Sequence, residues 1–164
     1  MGMRGIAKVI AGGALAVIGS GTTTAGAATG NATARAKILG QVTVTRVADL
    51  EFGTIVAGAA PSTVIINPFG VRTCGAGLVC SGAVTAAAFS VTGTAGRIVT
   101  VSVPAAITLS NGTDTMSALL AASAPGLLLG AGGAFFTVGG TLNVGGSQAD
   151  GDYSATFNAT VEYQ

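Results

Sequence analysis

Hydrophobic residues alternate with polar ones in several short runs along this chain, as they do in β-strands with one buried face. Shorter alternating runs lie at 87–91 and 99–103, and Val64 to Ile66 predicts a short strand closed by Asn67-Pro68. The clearest run closes the chain, and its apolar face is formed by Tyr153, Ala155, Phe157, Ala159, Val161 and Tyr163. Because these strands are short and separated by Gly-rich stretches, the sequence predicts an all-β sandwich or barrel.

Glycine-containing dipeptides mark the turns expected between the strands. Asn111-Gly112 follows an apolar run and predicts a tight turn. Gly93 to Gly96 predicts a hairpin loop between the runs at 87–91 and 99–103, and Gly139-Gly140 predicts another hairpin. One segment, 116–123, favours a short helix.

The first residues have the pattern of an export signal. Arg4 and Lys8 precede an apolar run from Val9 to Gly19, and Ala25-Gly26-Ala27 offers a cleavage site. A transmembrane anchor is the alternative, but the run is shorter than the ~20 residues that a span needs. We therefore expect a signal peptide at 1–27, cleavage between Ala27 and Ala28, and no membrane span after processing.

The start of the mature chain carries an unusually long alternation. Small and apolar residues fall on one face from Ala32 to Val44, with Arg35 and Lys37 on the other face. A single strand of this length would span about 43 Å at ~3.3 Å per residue, twice the usual length. Two interpretations stay open: an ordinary strand preceded by a loose tail, or an arm that adds a strand to a neighbouring molecule.

The composition argues against most catalytic, metal-binding and nucleic-acid-binding functions. The chain has no His, only 8% charged residues and a net charge of +1. Without His there is no Ser-His or Cys-His pair and no imidazole-bound metal, and the low charge argues against nucleic-acid binding. We predict a protein that is not an enzyme and that uses no cofactor and no metal.

The two cysteines are expected to form a disulfide. Cys74 and Cys80 lie six residues apart, and in the oxidising compartment implied by export they would pair. A redox or metal site is the alternative, but the spacing is not Cys-x-x-Cys and no His could complete it.

A few carboxylates could still carry chemistry. Asp49 and Glu51 could share a strand face, although solvated side chains beside Leu50 and Phe52 are the simpler interpretation. Asp150 and Asp152 could bind calcium, but turn chemistry explains them without further oxygen ligands.

Two segments resemble known families. Asp49-Leu50-Glu51-Phe52-Gly53-Thr54-Ile55 resembles the "Leu-x-Phe-Gly" segment of spore-coat-U-like and archaic chaperone–usher pilins. The run from Gly151 to Tyr163 resembles their closing strand, and Thr141-Leu142-Asn143-Val144-Gly145-Gly146 resembles a segment of the domain-of-unknown-function family 4402. The resemblance covers roughly Ala34 to Gln164.

This resemblance implies an immunoglobulin-like, pilin-like antiparallel sandwich that lacks its final strand. A periplasmic chaperone would fill the resulting groove first, and the arm of the next subunit would replace it at an outer-membrane usher. The arm would be 28–40 and the domain 41–164. The donor-strand residues would be Ala32, Ala34, Ala36, Ile38 and Gly40.

The resemblance also assigns roles at the C-terminus. Tyr163 and the carboxylate of Gln164 would be recognised by the chaperone, although Tyr163 could instead be an aromatic residue packed at the strand end. Tyr153, Phe157 and Val161 would form the core side of the last strand. The expected function is a structural subunit of a bacterial surface pilus, exported through the periplasm into an extracellular fibre of identical or related subunits. The alternative is a secreted adhesin or binding module whose own arm completes its sheet.

Overall fold

The protein folds into β-strands alone over the part of the chain that its computed structural model describes, residues 26–164. Residues 1–25 of the expected signal peptide at 1–27 lie outside the described residues, so the structure does not bear on that prediction. The strands are β1 (Thr43–Ala48), β2 (Thr54–Val56), β3 (Ser62–Ile66), β4 (Arg72–Cys74), β5 (Val79–Ser81), β6 (Ala87–Thr92), β7 (Ile98–Ser102), β8 (Ala106–Ser110), β9 (Thr115–Ala122), β10 (Gly126–Leu128), β11 (Ala134–Val144) and β12 (Thr160–Tyr163).

Two antiparallel sheets and a short ribbon organise these strands. The larger sheet runs in the order β1-β6-β11-β3-β4, with β9 on β11 and β8 on β9. The smaller sheet is β10-β7-β12, and β2 pairs with β5 in the ribbon. The all-β prediction is confirmed.

The two sheets share a hydrophobic core. Val99 and Val101 of β7 are buried against Phe89 of β6 and Phe136 of β11. The rings of Phe89 and Phe136 stack with centroids 5.1 Å apart. The alternating runs at 87–91 and 99–103 therefore bury the faces that their patterns predicted.

Strand β11 lies at the centre of the larger sheet, where it pairs with β6, β3 and β9. The turn predicted within this strand is wrong. Gly139 and Gly140 lie inside this continuous 11-residue strand, not in a hairpin. Residues before them pair with β6 and residues from Gly140 onward pair with β3. A Cβ on Gly139 would collide with the backbone carbonyl of Ile66, and one on Gly140 would lie 3.0 Å from the ring of Phe52. These glycines are needed for close packing and not for a turn.

Two further local predictions are wrong. The segment 116–123, expected to be helical, is strand as far as Ala122, at the end of β9, where Ala118 and Leu120 are buried and Leu119 between them faces outward. The loop at 93–96 is not a hairpin, because β6 and β7 lie in different sheets and the loop crosses between them. In contrast, Asn111-Gly112 does turn β8 into β9, with Asn111 Oδ1 accepting the amides of Thr113 and Asp114.

The disulfide prediction is confirmed. Cys74 at the end of β4 is bonded to Cys80 in β5, with Cα atoms 6.1 Å apart. The bond joins the last strand of the larger sheet to the β2–β5 ribbon. Arg72 ties the same region together, because its guanidinium donates to the carbonyls of Phe52 and Ser81.

Candidate functional site: a groove beside the last strand

The predicted C-terminal strand is only half formed, and this leaves an open edge. The strand pattern runs from Tyr153 to Tyr163, yet only 160–163 pair with β7. Ser154 makes an isolated bridge to Ser110. Among the described residues, 155–158 have no backbone hydrogen-bond partner. The side chains still alternate, with Phe157 and Ala159 half-buried and Thr156 and Asn158 exposed.

A groove of about 650 Å³ lies between this unpaired segment and β1. Strand β1 pairs with β6 along one edge, and its other edge has no partner among the described strands. The groove is therefore flanked by two backbone edges with free hydrogen-bonding groups. Apolar side chains form much of its lining: Val44, Leu50, Phe52, Ala87, Phe89, Ile107, Leu109, Phe157 and Ala159.

The rim of the groove carries its few charges. Arg46 and Asp49 form an ion pair of 2.7 Å, and both side chains are largely exposed. Glu51 is exposed on the same rim, while Leu50 and Phe52 turn toward the core. Asp49 and Glu51 are thus solvated side chains beside a hydrophobic lining, in agreement with the simpler interpretation.

The last strand meets the base of the arm at Gly40. The hydroxyl of Tyr163 donates to the carbonyl of Gly40 at 2.8 Å and accepts from the amide of Thr94 at 2.7 Å. The amide of Gly40 donates to Thr94 Oγ1 at 2.8 Å. We call these three residues the Gly40 clamp. Since β1 begins and β12 ends beside the clamp, the two segments that flank the groove run in opposite directions.

The chain before the clamp is exposed and has no regular structure. Ile38 is 93% exposed, the highest value among the large hydrophobic residues of the described chain. Ala32, Ala34 and Ala36 are exposed as well, and the strand begins only at Thr43. The 13-residue alternation from Ala32 to Val44 therefore does not form one strand within the isolated chain.

The family of the chain follows from its sequence. The family model described as "Domain of unknown function (DUF4402)" matches residues 42–163. The chain belongs to this family. The DUF4402 match begins two residues after Gly40 and ends at Tyr163. It therefore includes the residues that line the groove and excludes Ala32 to Gly40. The chain has no significant match among curated proteins or solved structures.

The remaining predicted site residues of the DUF4402 domain lie between Tyr153 and Gln164, in the unpaired segment and in β12. Val161 is buried in the core, and the Phe157 ring meets Phe89 edge-on at 6.2 Å. The Tyr153 hydroxyl donates to the carbonyl of Ala149 and accepts from Gln148 Nε2. Gln164 extends the pairing with β7, because its amide donates to the carbonyl of Ile98.

Within residues 26–164 no group of three His, Cys, Asp or Glu side chains is placed to hold a metal ion. Among the same residues there is no helix that could span a membrane.

Sequence reasoning missed the clamp, and it implied a groove only through the family resemblance, not through the residue pattern. The alternation of 153–163 predicted a strand but could not show that half of it lacks a partner. The sequence did not predict the contact of Thr94 with Tyr163, because the two residues are 69 apart and Thr94 lies in a loop that was expected to be a hairpin.

Proposed function

We propose that this protein is a structural subunit of a bacterial surface pilus, assembled by donor-strand exchange through a chaperone–usher pathway. In this proposal the domain is an incomplete immunoglobulin-like sandwich, and the N-terminal arm of another subunit supplies the missing strand. The observation that carries the proposal is the unpaired segment 155–158 beside a groove with an apolar lining. An exposed strand edge above apolar side chains favours aggregation unless another strand covers it.

The arm has the chemistry that such a groove requires. Extended peptides add to a sheet edge through main-chain hydrogen bonds, and alternate side chains enter the pockets. Ala32, Ala34, Ala36 and Ile38 alternate with polar residues and are exposed in the isolated chain. Ile38 would be the main anchor, since it buries several methyl-sized groups at ~0.8 kcal/mol each while an alanine buries one.

Charge also favours the arm as the occupant. Arg35 and Lys37 give the segment 28–40 a charge of +2, whereas three arginines against six carboxylates leave 41–164 at −3. In a docked arm the two basic side chains would remain on the wet face, near a rim where Arg46 pairs with Asp49 and Glu51 leaves one negative charge. This attraction is modest at the surface but has the correct sign.

Export and assembly partners complete the proposal. The leader at 1–27 would direct the chain to the periplasm, where a chaperone would occupy the groove. At the outer-membrane usher, the arm of the next subunit would replace the chaperone. Tyr163 and Gln164 would be contacts for that chaperone, since they end the strand that borders the groove. The fibre would reach the cell surface.

The direct test is assembly in cells with the cognate chaperone and usher. Ile38→Asp would place an unpartnered charge in an apolar groove, at a cost of several kcal/mol. We expect this variant to be captured by the chaperone but to give no fibre. Arg35→Ala, on the opposite face, is the matched control and should polymerise. Fibres of normal length from Ile38→Asp would exclude this arm as the donor strand.

The alternative, a self-complemented adhesin, makes a different prediction for the same material. The intact protein, purified without a chaperone, would then be a stable monomer with its arm protected from proteolysis. A subunit that needs a second chain would instead form polymers that resist cold detergent.

A further inference from the structure

The Gly40 clamp affects whether the groove is filled by the arm of its own chain or by the arm of another copy. The arm is covalently attached at one end of the groove, so its own sheet is the nearest acceptor at high effective concentration. Self-completion would therefore outcompete polymerisation unless something opposes it. The clamp is placed at the point where the chain would have to reverse.

Self-completion requires a tight reversal between the arm and β1. To enter the groove next to β1, the arm would have to form a hairpin with it across residues 39–42. Two-residue hairpin turns need left-handed backbone angles at their central positions, which glycine adopts most readily. Gly40 is the only glycine in this stretch, and it is not among the residues with positive φ.

The hydrogen bonds of Gly40 hold it in the non-turning conformation. Its amide donates to Thr94 Oγ1, and its carbonyl accepts from the Tyr163 hydroxyl. A hairpin that reoriented Gly40 would break both bonds and leave the half-buried hydroxyl of Tyr163 without its acceptor. Two residues upstream, Ile38 is 93% exposed, and none of the residues 37–42 lines the groove.

We propose that the Gly40 clamp prevents the arm from completing its own sheet, so that the occupant of the groove is the arm of a second copy of this chain. This inference rests on the proposed function. Each copy then offers one arm and one groove, which is a head-to-tail contact that leads to an open linear fibre. Tyr163 acts here as a positioning residue for the arm.

Cross-linking separates the two pairings. We would place one cysteine in the arm, Ala36→Cys, and one beside the groove, Ala155→Cys; both sites are exposed alanines. The native cysteines are already bonded to each other. The full chain carrying both substitutions is refolded without reduction, treated with a short bismaleimide and analysed on a denaturing gel. Pairing within a chain gives a cross-linked monomer, and pairing between chains gives a ladder.

The clamp variant combines Tyr163→Phe with Thr94→Val, which removes both hydroxyl groups and keeps the side-chain shapes. Thr100→Val is the matched control, since the Thr100 hydroxyl also accepts a hydrogen bond, from Gln164 Nε2, but lies outside both the clamp and the groove lining. We expect a ladder from the unaltered chain and the control. In the clamp variant the ratio of ladder to cross-linked monomer should fall about tenfold, as expected for the loss of the two hydrogen bonds that hold Gly40.

The outcomes distinguish the two proposals. A cross-linked monomer as the main product of the unaltered chain, or an unchanged ratio in the clamp variant, would overturn the role of the clamp while leaving the groove as the site for the arm. Absence of both products from every variant would overturn the proposed function together with this inference.

Discussion

The hydroxyl of Tyr163 donates a 2.8 Å hydrogen bond to the backbone carbonyl of Gly40, across 123 residues of sequence. The bond joins the end of the last strand to the base of the arm. It gives Tyr163 a structural contact in addition to the chaperone contact proposed for it. The two roles depend on different parts of the side chain, and substitutions can separate them.

Tyr163→Phe and Tyr163→Ala should therefore differ in chaperone capture. Phe keeps the ring that packs against the core and loses only the hydroxyl, so capture by the chaperone should be close to normal. Ala removes the ring, and co-purification with the chaperone should fall strongly. Equal capture of both variants and the unaltered protein would show that the chaperone does not recognise this side chain.

Phe136→Ala should be more destabilising than Phe157→Ala, although both rings pack against Phe89. Phe136 is 2% exposed and stacks on Phe89, so its loss should reduce the free energy of unfolding by ~3–5 kcal/mol. Phe157 is only half-buried, because the groove leaves one of its sides open, and Phe157→Ala should cost about half as much. Urea denaturation measures both, and a larger loss for Phe157→Ala would mean that the groove is closed in solution.

Gly139→Ala should destabilise the domain in spite of the better strand propensity of alanine. Its Cβ would be forced against the backbone of Ile66 and lie 2.9 Å from the carbonyl carbon of Asn67. Overpacking of this kind costs about 1–3 kcal/mol. Gly132→Ala is the control, because no atom lies within 4 Å of the added carbon there. Equal unfolding midpoints for the two variants would contradict the close packing of β11.

Removal of the disulfide should lower stability without abolishing the fold. A seven-residue ring between Cys74 and Cys80 contributes about 2.4 kcal/mol through the entropy of the unfolded chain. The double variant Cys74→Ala with Cys80→Ala should show that loss in chemical denaturation and retain its β-sheet circular dichroism. A loss of the whole fold would mean that the ribbon β2–β5 depends on the bond.

The sequence predicted those features whose cause is local. Asn111-Gly112 turns the chain because of its own backbone preferences and the side chain of Asn111, and all of that is visible in four residues. The buried faces of β6 and β7 follow from alternation alone. The disulfide between Cys74 and Cys80 was predicted because they are the only two cysteines in the sequence and an oxidising compartment favours their pairing.

Features decided by distant neighbours could not be predicted in this way. Gly139-Gly140 looks like a turn in sequence, yet the backbone of Ile66 crosses it and makes glycine necessary inside a strand. The segment 153–159 has the pattern of a strand whether or not a partner lies beside it. The contact of Thr94 with Gly40 depends on a loop that connects two sheets, and such a connection has no signature of its own.

Amide hydrogen exchange at 155–158 tests the central claim most directly, because these residues border the groove and have no backbone partner within the described residues 26–164. The receiver is the full chain with Ile38→Asp, whose own arm is disabled, and the ligand is a synthetic peptide of residues 29–42. The same peptide with Ile38→Asp is the control. We predict fast exchange at 155–158 in the free receiver and about 100-fold slower exchange when the unaltered peptide is present at 100 times its dissociation constant. Exchange at these amides that is unchanged by the unaltered peptide, or slowed equally by both peptides, would contradict the claim that the groove receives this strand.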